Sequence, residues 1–165
     1  MKAQISIEYI IALIVFIVFV SFLLLQFYTQ RPAYVKEMRD ELLRSEAFQI
    51  SELLVNDHGE PANWQSFAAA RRIGLSDHTR NKTNLMSINK IAVFNNTCVQ
   101  GGYDQIKNKI ISNYDFSIYL KDLSTGAMMI SCQPAQIVYR ATNISIRRIV
   151  AFNNGGYGEM IIQMW

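Results

Sequence analysis

Histidine, cysteine and proline are scarce in this chain: two, two and three among 165 residues. The cysteines, Cys98 and Cys132, form no C-x-x-C pair, and His58 and His78 lie in polar loop sequence beside Asp57 and Asp77. A zinc site needs three or four converging ligands, so no metal site is expected and the histidines read as solvated. Charge is also thin. Charged residues make up 18% of the chain and the net charge is +3, too weak and too dispersed for nucleic-acid binding. No serine sits in a G-x-S-x-G context. The Gly101-Gly102 and Gly155-Gly156 pairs fall in turns without the strand-loop-helix pattern of a phosphate site. Asp115 and Asp122 share no helix face with another acid. Internal repeats and low-complexity tracts are missing. These absences leave no catalytic set, no cofactor-binding site and no evident small-molecule substrate, and the expectation is a protein that is not an enzyme.

Apolar residues are present in excess at one end. Residues 1–28 contain 22 of them, whereas residues 29–165 contain 61 in 137, the ordinary content of a soluble domain. No charge occurs from Tyr9 to Gln30, and neither Gly nor Pro interrupts the run. About 18 residues of helix span roughly 27 Å, close to the thickness of a hydrocarbon core. Lys2 is the only basic residue before the run, which predicts a cytoplasmic N-terminus and an extracytoplasmic remainder. A secretory signal would end in an A-x-A-like cleavage site, but this run ends Leu25-Gln26-Phe27-Tyr28-Thr29-Gln30-Arg31. A plain signal anchor accounts for the hydropathy and leaves Glu8 without a role. An acid at the edge of a membrane helix is costly unless it has a partner or reaches the interface.

The segment Lys2-Ala3-Gln4-Ile5-Ser6-Ile7-Glu8-Tyr9 resembles the class III signal peptide of archaeal type IV pilin-like proteins, in which Q-x-S-x-E-[YF] runs directly into the apolar helix. The resemblance implies that a prepilin-type membrane peptidase cuts between Ala3 and Gln4, so that Gln4 becomes the first residue and Glu8 the fifth. The helix then stays in the product. Cleavage would create an α-amino group with a reference pKa near 8. That amine on a neighbouring subunit could pair with Glu8 and set the register between helices, since a buried carboxylate needs a partner. If Gln4 cyclises to pyroglutamate, Glu8 needs other donors or a proton. The blocks His58-Gly59-Glu60-Pro61-Ala62-Asn63-Trp64, Arg72-Ile73-Gly74-Leu75-Ser76 and Tyr114–Leu120 also resemble segments of larger archaeal pilin-like proteins, more loosely. The Gly-rich helix entry of archaeal flagellins is absent.

The expected organisation is a leader at 1–3, a transmembrane or polymerisation helix at 4–28, an amphipathic continuation at 29–55 and an extracytoplasmic head at 56–165. In the continuation, Val35, Met38, Leu42, Leu43, Ala47, Ile50, Leu53 and Leu54 recur at helical spacing between charged residues. Pro32 either kinks one long helix or opens a second, and the former is favoured. The stretch Asn56-Asp57-His58-Gly59 stops the helix, with Pro61 behind it. A helical turn is expected at Trp64–Ala70, and a short helix at Tyr103–Ser112 with Ile106, Ile110 and Ile111 inward. Alternation at Tyr114–Leu120 predicts a half-buried strand, followed by a hairpin return at Ala127–Cys132. Ile137–Phe152 reads as a long strand region, either continuous or broken near Ala141, Asn153-Asn154-Gly155-Gly156 as a turn, and Glu159–Trp165 as the last strand. The fold class is α+β: a long N-terminal helix packed on a C-terminal antiparallel meander, as in the pilin plan.

In an extracytoplasmic domain, Cys98 and Cys132 most simply form one disulfide, and two buried thiols are the alternative. Three sequons occur, at Asn81, Asn95 and Asn143, where chance gives about 1.3 from the Asn, Ser and Thr content. Asn81 and Asn95 sit in loop-like sequence and read as the better acceptors, whereas Asn143 lies in strand-like sequence. Two functions fit. One is a structural subunit that polymerises with other pilin subunits through its apolar helix, with Gln4 and Glu8 at the assembly contact. The other is a monomeric binding module held on the membrane by a simple anchor.

Overall fold

The computed structural model describes residues 2–80, 82–136 and 143–165, the first five of them by backbone only. Two compact units are present, Met1–Arg39 and Asp40–Trp165. One helix, α1 (Lys2–Asn56), contributes to both and continues through Pro32. The continuous-helix reading of Pro32 therefore holds over the alternative of a restart. Proline removes one helical hydrogen bond, and the flanking residues retain enough helical propensity to carry the turn.

The second unit is built on a five-stranded sheet. Its elements are β1 (Leu85–Met86), α2 (Ile88–Val99), α3 (Tyr103–Ile110), β2 (Phe116–Asp122), β3 (Met128–Cys132), β4 (Ile144–Phe152) and β5 (Tyr157–Met164). The spatial order is β1-β4-β5-β2-β3. Two hairpins, β2–β3 and β4–β5, join through an antiparallel β2–β5 pairing, for example Ile118 opposite Ile162. Consecutive strands are thus not neighbours throughout, as a meander would require. β1 adds a parallel pairing to β4, which makes the sheet mixed. The class is α+β.

Periodicity explains which residues face inward. Alternate positions Phe116, Ile118 and Leu120 on β2, and Met160, Ile162 and Met164 on β5, are buried. They meet Leu43, Ala47, Ile50 and Leu54, which recur at three- and four-residue spacing on α1. The exposed Val35, Met38 and Leu42 do not belong to this buried set. Asp57 follows the last helical turn, and Gly59 adopts a left-handed φ of 76°, which ends the helix where the turn residues predict.

Three local expectations are corrected. Trp64–Ala70 forms turns and bends without a helix. α2 was hidden in sequence read as loop, so Asn95 lies on a helix. Ile111 is 85% exposed rather than inward, because α3 closes at Ile110 and Ile111 takes a left-handed φ of 62°. Residues 137–142, the start of the expected long strand, and Asn81 lie outside the described residues.

Candidate functional site

The apolar part of α1 is the most unusual surface of the molecule. The helix is long and apolar enough to cross a membrane, and its most apolar window has no buried residue. Exposure does not select a face: Ile10, Ile11, Leu13, Ile14, Phe16 and Ile17 all lie open, at successive angles around the axis. A helix that is hydrophobic all round needs lipid or other apolar helices around it. Glu8, at the start of the run, is exposed. The side chains of Ala3 and Gln4, the expected cleavage pair, lie outside the described residues.

At the other end of the run the side chains change character. Phe27, Tyr28 and Tyr34 are exposed aromatics, and the Arg31 guanidinium lies 4.5 Å from the centre of the Phe27 ring. Phe27, Gln30, Arg31, Tyr34 and Val35 border a recess of about 480 Å³. Thr29 turns its hydroxyl back on the helix, donating to the Leu25 carbonyl at 3.1 Å and the Gln26 carbonyl at 2.9 Å. Apolar bodies with polar tips at the end of a hydrophobic run suit a membrane–water interface.

In the second unit, the segments His58–Trp64 and Arg72–Ser76 form one knot. Glu60 bridges Arg72, the Trp64 indole N–H donates to the Gly74 carbonyl at 3.1 Å, and the Leu75 N–H donates to the Leu54 carbonyl at the end of α1. Gly74 has to be glycine, since a Cβ there would lie 2.2 Å from the Asp57 carbonyl oxygen. Asp57 accepts from the Gly59 N–H and pairs with Arg72 at 2.9 Å. The knot closes on Lys90 of α2. Its ammonium donates to the carbonyls of His58 at 2.8 Å, Ala62 at 2.7 Å and Ser76 at 2.9 Å, and it lies 5.8 Å from the centre of the Trp64 ring. Lys90 is buried, and that burial lowers its pKa, partly offset by the negative charges of Asp77 and Asp57. Sequence reasoning missed Lys90. The signal was a lysine beside Ile91 and four residues before Phe94, both buried, on what proved to be a helix.

Cys98 and Cys132 are joined, with Cα atoms 5.5 Å apart, which ties α2 to β3. A second tie lies beside it: the Ser131 N–H donates to the Asn95 side-chain oxygen at 3.1 Å. Asn143 is exposed and immediately precedes β4. Asp77 is buried and accepts from both the N–H and the hydroxyl of Thr79, each at 2.8 Å; the backbone bond is the main reason its pKa falls below the usual carboxylate value. Among the described residues, no three of His, Cys, Asp and Glu converge as metal ligands would. In the clusters around Lys90 and Asp77, the charged groups bond chiefly to nearby backbone.

The chain matches no protein-family model, no curated protein and no solved structure with which it was compared.

Proposed function

We propose that this chain is a pilin-like structural subunit. After removal of residues 1–3, the apolar helix is held in the membrane and then exchanges lipid for the same helix of other subunits, while the second unit is displayed outside the cell. The observation that carries this reading is the apolar run from Tyr9 to Tyr28, exposed on every side and entered through Gln4-Ile5-Ser6-Ile7-Glu8-Tyr9. Such a helix inserts on hydropathy alone. What insertion does not require is Glu8. Packing of apolar helices is weakly directional, and a carboxylate that pairs with the Gln4 amine of a neighbour would select one axial register.

The test separates insertion from assembly. Glu8→Ala should leave the chain processed and membrane-bound while lowering its incorporation into sheared surface filaments relative to the membrane fraction. Equal incorporation of both forms, or no wild-type chain in any filament, would defeat the proposal. The maturation step is checked by N-terminal mass spectrometry of the chain from native membranes. A chain beginning at Gln4 is expected, and one that retains Met1 or Lys2 returns the helix to a simple anchor.

A further inference from the structure

Two sequons lie in the described part of the second unit, and the structure separates them by what their side chains already do. In the first, the carboxamide oxygen of Asn95 accepts from the Ser131 N–H at 3.1 Å. The hydroxyl of Thr97, two residues on, donates to the Val93 carbonyl at 2.9 Å within α2. Both groups belong to one helix. Two positions along a helix are turned by about 200°, so the amide and the hydroxyl of this sequon diverge. The Cys98–Cys132 bridge, next in the chain, holds that segment of α2 against β3. Use of Asn95 would require unwinding α2 to bring its amide and the Thr97 hydroxyl to one side, on a segment tied to β3 by the bridge and by the Ser131 bond.

The second sequon has the opposite character. Asn143 and Ser145 are both exposed, as is Arg147 beyond them, whereas Ile144 and Ile146 between them are half-buried. In extended chain, residues two apart point to one side, so the acceptor amide and the sequon hydroxyl face solvent together. The strand pairing of Ser145 opposite Gln163 fixes that face. Strand sequence, which argued against Asn143, is therefore what presents it.

We infer that Asn143 is an N-glycan acceptor of this protein and that Asn95 is not. The co-substrate is a glycan carried on a lipid phosphate or diphosphate. A bond forms between Nδ2 of Asn143 and the anomeric carbon, the anomeric carbon–oxygen bond to phosphate breaks, the lipid phosphate leaves with the electron pair, and one amide proton passes to the transferase. No oxidation or reduction is involved. The inference rests on the proposed external location of this unit, because sequons are modified outside the cytoplasm.

The full chain from its native membranes is reduced, which frees the Cys98 peptide from the Cys132 peptide, and digested with trypsin, which releases residues 141–147 with Asn143 and residues 91–107 with Asn95. The expected result is peptide 141–147 heavier by one or more sugar residues and peptide 91–107 at its unmodified mass. Asn143→Gln and Ser145→Ala should each abolish the mass shift, and Ser145→Thr should retain it. Both positions are solvent-facing, so these variants are expected to keep the fold. In parallel, intact cells are labelled with a membrane-impermeant lysine reagent. Labelled lysines beyond residue 40 with an unmodified peptide 141–147 overturn the inference and leave the external location standing. Protected lysines with an unmodified peptide overturn both. A sugar on peptide 91–107 in place of 141–147 overturns the geometric choice.

Discussion

Replacing Lys90 by methionine tests what holds the second unit together. The substitution keeps the length and apolar stem of the side chain and removes only the ammonium. Three carbonyls, on His58, Ala62 and Ser76, then lose a donor 2.7–2.9 Å away in a buried place. An unsatisfied buried acceptor costs about 1–3 kcal/mol, so three of them cost roughly 3–9 kcal/mol. Against this, the variant no longer buries a cation, which recovers several kcal/mol of desolvation. The net expectation is a loss of about 3–5 kcal/mol, the surplus of the unsatisfied carbonyls over the recovered desolvation. Urea unfolding of the detergent-solubilised chain, followed by tryptophan fluorescence, is a suitable assay because Trp64 is buried beside Lys90. With a slope near 1–3 kcal/mol per molar urea, the midpoint should fall by roughly 1–5 M. Lys109 is the control. It also donates to two carbonyls, of Phe67 and Ala70, but is only half-buried, and Lys109→Met should cost clearly less. A loss below about 1 kcal/mol for Lys90→Met, or equal losses for the two lysines, would refute the assignment of Lys90 as the centre of the knot.

Asp77 gives a pH signature: its folded pKa lies below the unfolded value near 3.9, so its stabilisation is complete above that value and is lost as pH falls through the folded pKa. The Asp77→Asn variant should be less stable than wild type at pH 7 by about 1–3 kcal/mol, with the gap closing in acid-unfolding curves as pH falls below the unfolded value. Opening the Cys98–Cys132 bridge, with its sequence separation of 34, should cost about 3–4 kcal/mol through the freedom of the unfolded chain, measured by urea unfolding with and without reductant. Alkylation of both thiols in unreduced, denatured native protein would remove the bridge. Ile111→Gly should stabilise by about 0.5–1 kcal/mol, because a β-branched residue at φ 62° carries backbone strain and a side chain 85% exposed returns little for it. A lower thermal midpoint for that variant would contradict this.

What could be read from the residues alone was whatever repeats with a period or is marked by a turn. The α1 core positions Leu43, Ala47, Ile50 and Leu54, the alternation of β2, the β2–β3 hairpin and the Asn153–Gly156 turn belong to this class. α2 was not legible, because Asn89, Lys90, Asn95, Asn96 and Thr97 interrupt its apolar stripe and imitate a loop. Two of these are polar for tertiary reasons: Lys90 serves carbonyls from three distant positions, and Asn95 serves β3. Strand order was equally hidden. Pairing of β2 with β5 sets Phe116 opposite Met164 and Asp122 opposite Gly158, residues far apart in the chain, and nothing local encodes it. Ile111 failed for the opposite reason: its apolar character suggested burial, but the helix had already ended.

The same long-range ties bear on how copies of this chain could associate. An open sheet invites strand addition at its edges. Here the edge strand β3 has α2 packed against it: the Ser131 N–H is taken by Asn95, and Cys132 is bonded to Cys98 on that helix. The other edge strand, β1, is only two residues long, and Ser76 bridges it at Met86. A second copy adding a strand would have to displace α2 against a covalent bond at one edge, or pair with two residues already bridged at the other. The apolar part of α1 has no such cover. It presents Ile, Leu, Val and Phe at successive positions, with the exposed Glu8 at its entry, the group to which the proposed function gives the register. Disrupting the sheet edges should therefore alter the stability of the second unit and leave helix-mediated association intact. A Ser131→Pro chain, which lacks the N–H given to Asn95, makes that separation measurable. It should unfold at lower urea, yet be incorporated into filaments in proportion to its folded amount. Normal stability together with lost incorporation would move the assembly contact from the helix to the sheet edge.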